Sequence, residues 1–151
     1  MKNKLGLNEL EILDVEEALV AFKTSLLDEK VSFNQTSFDL DYLIKLNEFL
    51  FGDLYTYAGK ISDRYEQDDY LYINSLVQQI VFLVESCNPD IEQIQYLVKE
   101  LADMQIFECG NKRTILLFID SIINVYKTYN KDYYEELHSA IHGCVRERFM
   151  A

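Results

Sequence analysis

A chain of 151 residues that is 49% hydrophobic and 13% aromatic can bury one sizeable core, and its single Pro and five Gly exclude a disordered or low-complexity polymer. The formal net charge of −12, with a pI near 4.5, argues against nucleic acid and anionic membrane surfaces as partners. Cys87, Cys109 and Cys144 are an odd count without framework spacing, which excludes a disulfide scaffold and points to reduced thiols in the cytoplasm.

The predicted elements are helices. Asn8, with Glu11 three residues on, opens a first helix through about Leu27 whose apolar face carries Ile12, Val15, Leu19, Phe22 and Leu26. Lys30 to Thr36 reads as a polar connector. Phe38 to Phe51 forms a second helix with Leu40, Leu43, Ile44 and Leu50 inward and Gly52 as its stop. Tyr55 to Ile61 is a tight aromatic turn that packs and does not bind. Residues 62 to 70 hold Asp63, Arg64, Glu66, Asp68 and Asp69, the most exposed and least ordered stretch. Tyr72 to Val84 is a third helix. Asn88 caps a fourth, with Pro89 at its first position, reaching Met104 on Ile91, Ile94, Leu97, Val98 and Leu101. Thr114 to Tyr129 is apolar on nearly every face, the mark of a central helix. Asn130 caps a last helix to about Phe149 that presents Leu137, Ile141, Cys144 and Val145. No repeat or linker interrupts the chain, so the expectation is one compact all-α domain over 1–151.

The start, Met1-Lys2-Asn3-Lys4, leads into acidic residues, so no signal peptide is expected. The longest apolar stretch, Ile115 to Tyr126, is broken by Asp120, Ser121 and Asn124 and falls short of the ~20 residues a bilayer needs.

The chemistry concentrates at Gln105-Ile106-Phe107-Glu108-Cys109-Gly110-Asn111-Lys112-Arg113. Gly110 can take a positive φ that other residues resist, so the backbone N–H groups of Asn111, Lys112 and Arg113 can converge at the start of the central helix. Lys112 and Arg113 oppose the positive end of the helix dipole, at a cost of about 0.3–1 kcal/mol for an exposed charge. A bound phosphate would cancel that cost. The plainer alternative is that Gly-Asn ends one helix and starts the next, with both cations solvated.

The same segment resembles the signature loop of the Fic family, His-x-Phe-x-acid-Gly-Asn-Gly/Lys-Arg, which includes the death-on-curing toxins. Phe107, Gly110, Asn111, Lys112 and Arg113 match, and Lys at the second Gly position is the death-on-curing form. Upstream, Leu50-Phe51-Gly52-Asp53-Leu54-Tyr55-Thr56-Tyr57-Ala58-Gly59-Lys60-Ile61 is similar to the family's Leu-Phe-Gly-Asp-x-Tyr-x-Trp-Ala-Gly-Lys-Ile stretch. The resemblance spans residues 5–145 and implies a Fic-type helical domain with at most a short flap hairpin at 62–70, where family members grip a target peptide. A plain surface loop is the other expectation there, since the segment is short for a hairpin.

The resemblance also implies what is missing. Gln105 stands in place of the catalytic His, Cys109 in place of the acidic Mg²⁺ ligand, and Leu116 in place of a second Arg. Asn47 and Ser62 replace a His and an Arg that flank the upstream stretch. The family moves a nucleotidyl group from ATP to a protein hydroxyl. Here the expectation is a domain without catalytic residues, retaining nucleotide or phosphate binding at Gly110, Asn111, Lys112 and Arg113. ATP is the candidate ligand, Mg²⁺ lacks the acidic ligand that Cys109 replaces, and the protein target is unknown. The alternative is an active protein adenylyltransferase or phosphotransferase using another base, such as Glu108. An inhibitory Ser/Thr-x-x-x-Glu pattern is present only in spacing, at Ser25 to Glu29.

Two further motifs carry a bland and a sharp meaning. His138 and His142 lie four apart and could share a metal, but two ligands do not make a site, and no metal ligand is assigned. Cys109 beside Lys112 and Arg113 could be a reactive thiol or a small side chain filling the loop.

Overall fold

The computed structural model describes residues 3–30 and 37–150, with side chains described throughout these except at 27–30 and 146–150. The described residues form six helices and no strand: α1 Glu9–Lys30, α2 Leu40–Phe51, α3 Gln67–Glu85, α4 Ile91–Met104, α5 Asn111–Tyr126 and α6 Lys131–Met150. The chain is all-helical, as its periodicity predicts. The connector expected at 30–36 falls mostly outside the described residues. Among them no helix is long and apolar enough to cross a membrane.

The central helix is α5, which packs against each of the other five. Ile115, Phe118, Ile119 and Ile122 are buried on it. Each such side chain stabilises the fold by roughly 1.5–3 kcal/mol relative to exposure. Phe118 meets Phe38 edge-on at 6.4 Å and Tyr42 at 6.0 Å, which seats α2 on α5.

Several expected details differ. The apolar face of α1 is rotated: Ile12 and Val20 are buried, whereas Phe22 and Leu26 are exposed. Polar anchors set that rotation. Lys23 reaches inward to the Phe49 carbonyl at 2.6 Å and Asp53 at 2.8 Å, and Glu16 lies on the same stripe, one turn from both Ile12 and Val20. Gly52 does cap α2, yet at φ −62° it is right-handed, and its lack of a Cβ leaves room for the Glu48 carbonyl, which that atom would meet at 2.5 Å.

The fourth helix is capped by Asp90, whose carboxylate accepts from Gln93 N–H at 3.1 Å. Asn88 instead accepts from Asp90 N–H at 2.8 Å, a turn that leaves Pro89 outside the helix. The segment 62–70 is largely exposed, as expected, but it is built of regular turn and helix geometry. Glu66 and Asp69 form a capping box that starts α3 at Gln67, and Ser62 is buried. No flap hairpin forms among the described residues. Ile61 makes one antiparallel bridge with Phe107, and Ser62 N–H donates to the Ile106 carbonyl at 2.7 Å.

Candidate functional site

The loop between α4 and α5 is fixed by backbone geometry first. Gln105 ends α4 in the left-handed region at φ 50°, and Gly110 opens α5 at φ 70°. A Cβ on Gly110 would sit 2.0 Å from the Phe51 ring, so both its φ and its surroundings require glycine. Helix α5 therefore begins at Asn111, three residues before the expected start, and Gly110 offers its first turn no side-chain acceptor.

Asn111 turns its amide back on the loop, accepting from Phe107 N–H at 2.8 Å and donating to the Phe107 carbonyl at 2.9 Å. That side chain holds the loop's shape. A second clamp comes from the turn before α3, where Arg64 donates to the Met104 carbonyl at 2.7 Å and to the Gln105 carbonyl, and the Tyr65 hydroxyl also donates to Met104. These donors satisfy the carbonyls left over at the end of α4.

Beneath the loop, Asn47 is 1% exposed and uses its whole amide. It donates to the Cys109 carbonyl and the Thr114 hydroxyl, both at 3.1 Å, and accepts from Gly59 N–H at 2.8 Å. One side chain thus ties α2, the aromatic turn and the loop together. Tyr55 and Tyr57 stack at 5.1 Å in that turn, which packs, while Tyr55 also reaches the wall of a cavity.

Gln105, Glu108, Cys109, Gly110, Asn111, Lys112 and Arg113 line one cavity of about 380 Å³. Leu116 is not on its wall and packs partly buried against the core. Sequence reasoning missed the opposite wall, supplied by Leu13 and Glu16 of α1 and by Tyr55. Glu16 accepts from the Tyr55 hydroxyl at 3.1 Å and pairs with Arg113 at 3.5 Å. The available signal was a carboxylate inside an apolar helical stripe. Glu108 accepts from the Ser62 hydroxyl at 2.6 Å.

The charges at the α5 terminus are unlike those elsewhere. The other five helices place an acidic residue in the first turn, whereas α5 opens with Lys112 and Arg113. That end of α5 carries positive potential that a negative group would lower.

Burial works against activation of the Cys109 thiol. Burial pushes its pKa from 9.0 up to about 11, against the lowering effects of a hydrogen bond with Tyr57 and of Arg113. Cys109 packs partly buried against the core. The same protonated sulfur does not fit Mg²⁺, which takes hard oxygen donors.

No protein-family model matches the chain. It is 29% identical over 133 residues to the protein adenylyltransferase VbhT of Bartonella schoenbuchensis, an alignment covering 79% of this chain. The chain spans 28% of that protein's length. The similarity is distant, and it supports a relationship between this chain and the Fic-type adenylyltransferases.

Proposed function

We propose that this chain is a Fic-type domain that has kept a phosphate cradle and lost the transfer chemistry, acting by binding a nucleotide or a protein target. The observation that carries the proposal is the pairing of a left-handed Gly110 before a cationic helix start with an amide, Gln105, on the wall of the same cavity. An amide has no basic lone pair near neutral pH. Absence of a positioned general base costs ~10²–10⁴ in rate.

Two other features point the same way. The Cys109 thiol is unsuited to hold a divalent cation, and Leu116 is turned into packing where a second guanidinium would stabilise transferred charge. The phosphates of ATP would meet the N–H groups at the start of α5 together with Lys112 and Arg113. Glu16 must give way for this to happen, so affinity is expected to be weak.

A second reading keeps catalysis, with Glu108 as the base. It is favoured by one observation, that the Glu108 carboxylate lies on the cavity wall bonded to a hydroxyl.

Incubation with labelled ATP, Mg²⁺ and cell lysate tests both, beside a variant carrying Gln105→His, Cys109→Asp and Leu116→Arg. The proposal expects no labelled protein from the native chain and label gained by the variant. Label transferred by the native chain would overturn it, and loss of that label in Glu108→Gln would establish the second reading.

A further inference from the structure

The only two histidines of the chain meet one carboxylate on the far side of the central helix. His138 and His142 stand one turn apart on α6, their rings stacked at 4.1 Å. Asp120 is the one charged residue between Thr114 and Tyr126 of α5. Its carboxylate lies 2.9 Å and 3.0 Å from His142 Nε2 and 3.5 Å from His138 Nε2. All three ligand atoms fall within 4.8 Å of one another.

We propose that Asp120, His138 and His142 form a transition-metal site of zinc type, independent of the loop at Gly110 and of the reading given for it. Ligand atoms on a tetrahedral Zn²⁺ sit ~2.0–2.1 Å from the metal and therefore ~3.3 Å from each other. From one carboxylate oxygen, Oδ1, the separations of 3.0 Å to His142 and 3.5 Å to His138 bracket that spacing.

A hydrogen-bonded strut between α5 and α6 would need one imidazole. Here both rings place the same nitrogen within 3.5 Å of one carboxylate oxygen, as members of a shared ligand set would. Two imidazoles and one carboxylate favour Zn²⁺ and its neighbours over Mg²⁺ or Ca²⁺, which prefer oxygen donors. Asp120 and His142 are each 19% exposed, so the set is partly shielded from water. The half-exposed His138 borders a groove of about 820 Å³ between α5 and α6, from which water can fill the fourth position.

Untagged protein, stripped with a chelator, is titrated with Zn²⁺ by calorimetry and with Co²⁺ by visible absorption. One equivalent should bind, and the Co²⁺ complex should show d–d bands without a thiolate charge-transfer band. Second-shell changes alone lower metal affinity ~10–100-fold, so loss of a ligand in His142→Ala or Asp120→Asn should cost at least ~10-fold. His138→Ala alters a half-exposed side chain and should cost the same with an unchanged circular dichroism spectrum. Absence of uptake by the native chain would overturn the proposal, as would equal affinity in His138→Ala or a thiolate band reporting cysteine ligation.

Discussion

Glu16 on α1 and Arg113 on α5, 97 residues apart, approach to 3.5 Å across the mouth of the candidate cradle. The carboxylate is the more buried partner, at 12% exposed against 47%, and the Tyr55 hydroxyl steadies it. An acidic group thus occupies ground that a phosphate would need. Pairs this exposed contribute about 0.2–1 kcal/mol, so the competition is modest.

Glu16→Gln should therefore strengthen ATP binding by ~3–10-fold, a gain of roughly 0.7–1.4 kcal/mol from removing one competing charge. Isothermal calorimetry of the two proteins checks it. Equal or weaker binding by the variant would show that Glu16 does not oppose the ligand.

Asn47 is the structural keystone below the loop. Asn47→Ala leaves the Gly59 N–H and the Cys109 carbonyl without their partner, at about 1–3 kcal/mol for each buried group. A loss of about 2–5 kcal/mol in urea denaturation is expected. A change below ~0.5 kcal/mol would mean that water replaces the amide without cost.

Much of this architecture is legible because it is local. Apolar spacing predicts five of the helices within a few residues at their ends, with α5 starting at Asn111, three residues before the expected Thr114. The third helix begins five residues early because Asp68 and Asp69, read as loop charges, sit in its first turn as caps and dipole partners. The remaining surprises are long-range. Glu16 pairs with Arg113, Asn47 with Cys109, and Asp120 with His142, contacts that no local spacing encodes. Asp120 in particular reads in sequence as a mere interruption of an apolar run.

Gly110→Ala combines a left-handed backbone, about 1–2 kcal/mol for an L side chain, with overpacking against Phe51, about 1–3 kcal/mol more. Destabilisation of roughly 2–5 kcal/mol is expected. Gly143→Ala is the control: it sits in α6 with nothing within 4 Å of a new Cβ and should stabilise by up to ~1 kcal/mol. Equal effects in thermal melts would contradict the role given to Gly110.

Alkaline pH should weaken the fold. Burial pushes Cys109 from 9.0 to about 11, and burial also raises Tyr55 and Tyr133 from 10.0 to about 12. The folded chain holds these protons more tightly than the unfolded one. That contribution is present in full below the unfolded values and is lost as pH rises through the folded ones. The melting temperature should fall progressively from pH 9 to 12, less steeply in Cys109→Ala. A flat or rising profile from pH 9 to 11 would refute the assignment of these groups as buried acids.

The cradle itself is tested most directly by calorimetric titration of ATP into the native chain and into a Lys112→Ala, Arg113→Ala double variant. The account predicts measurable binding by the native chain and at least ~10-fold weaker binding by the variant, with the same melting temperature. Identical affinity in the two proteins would contradict it.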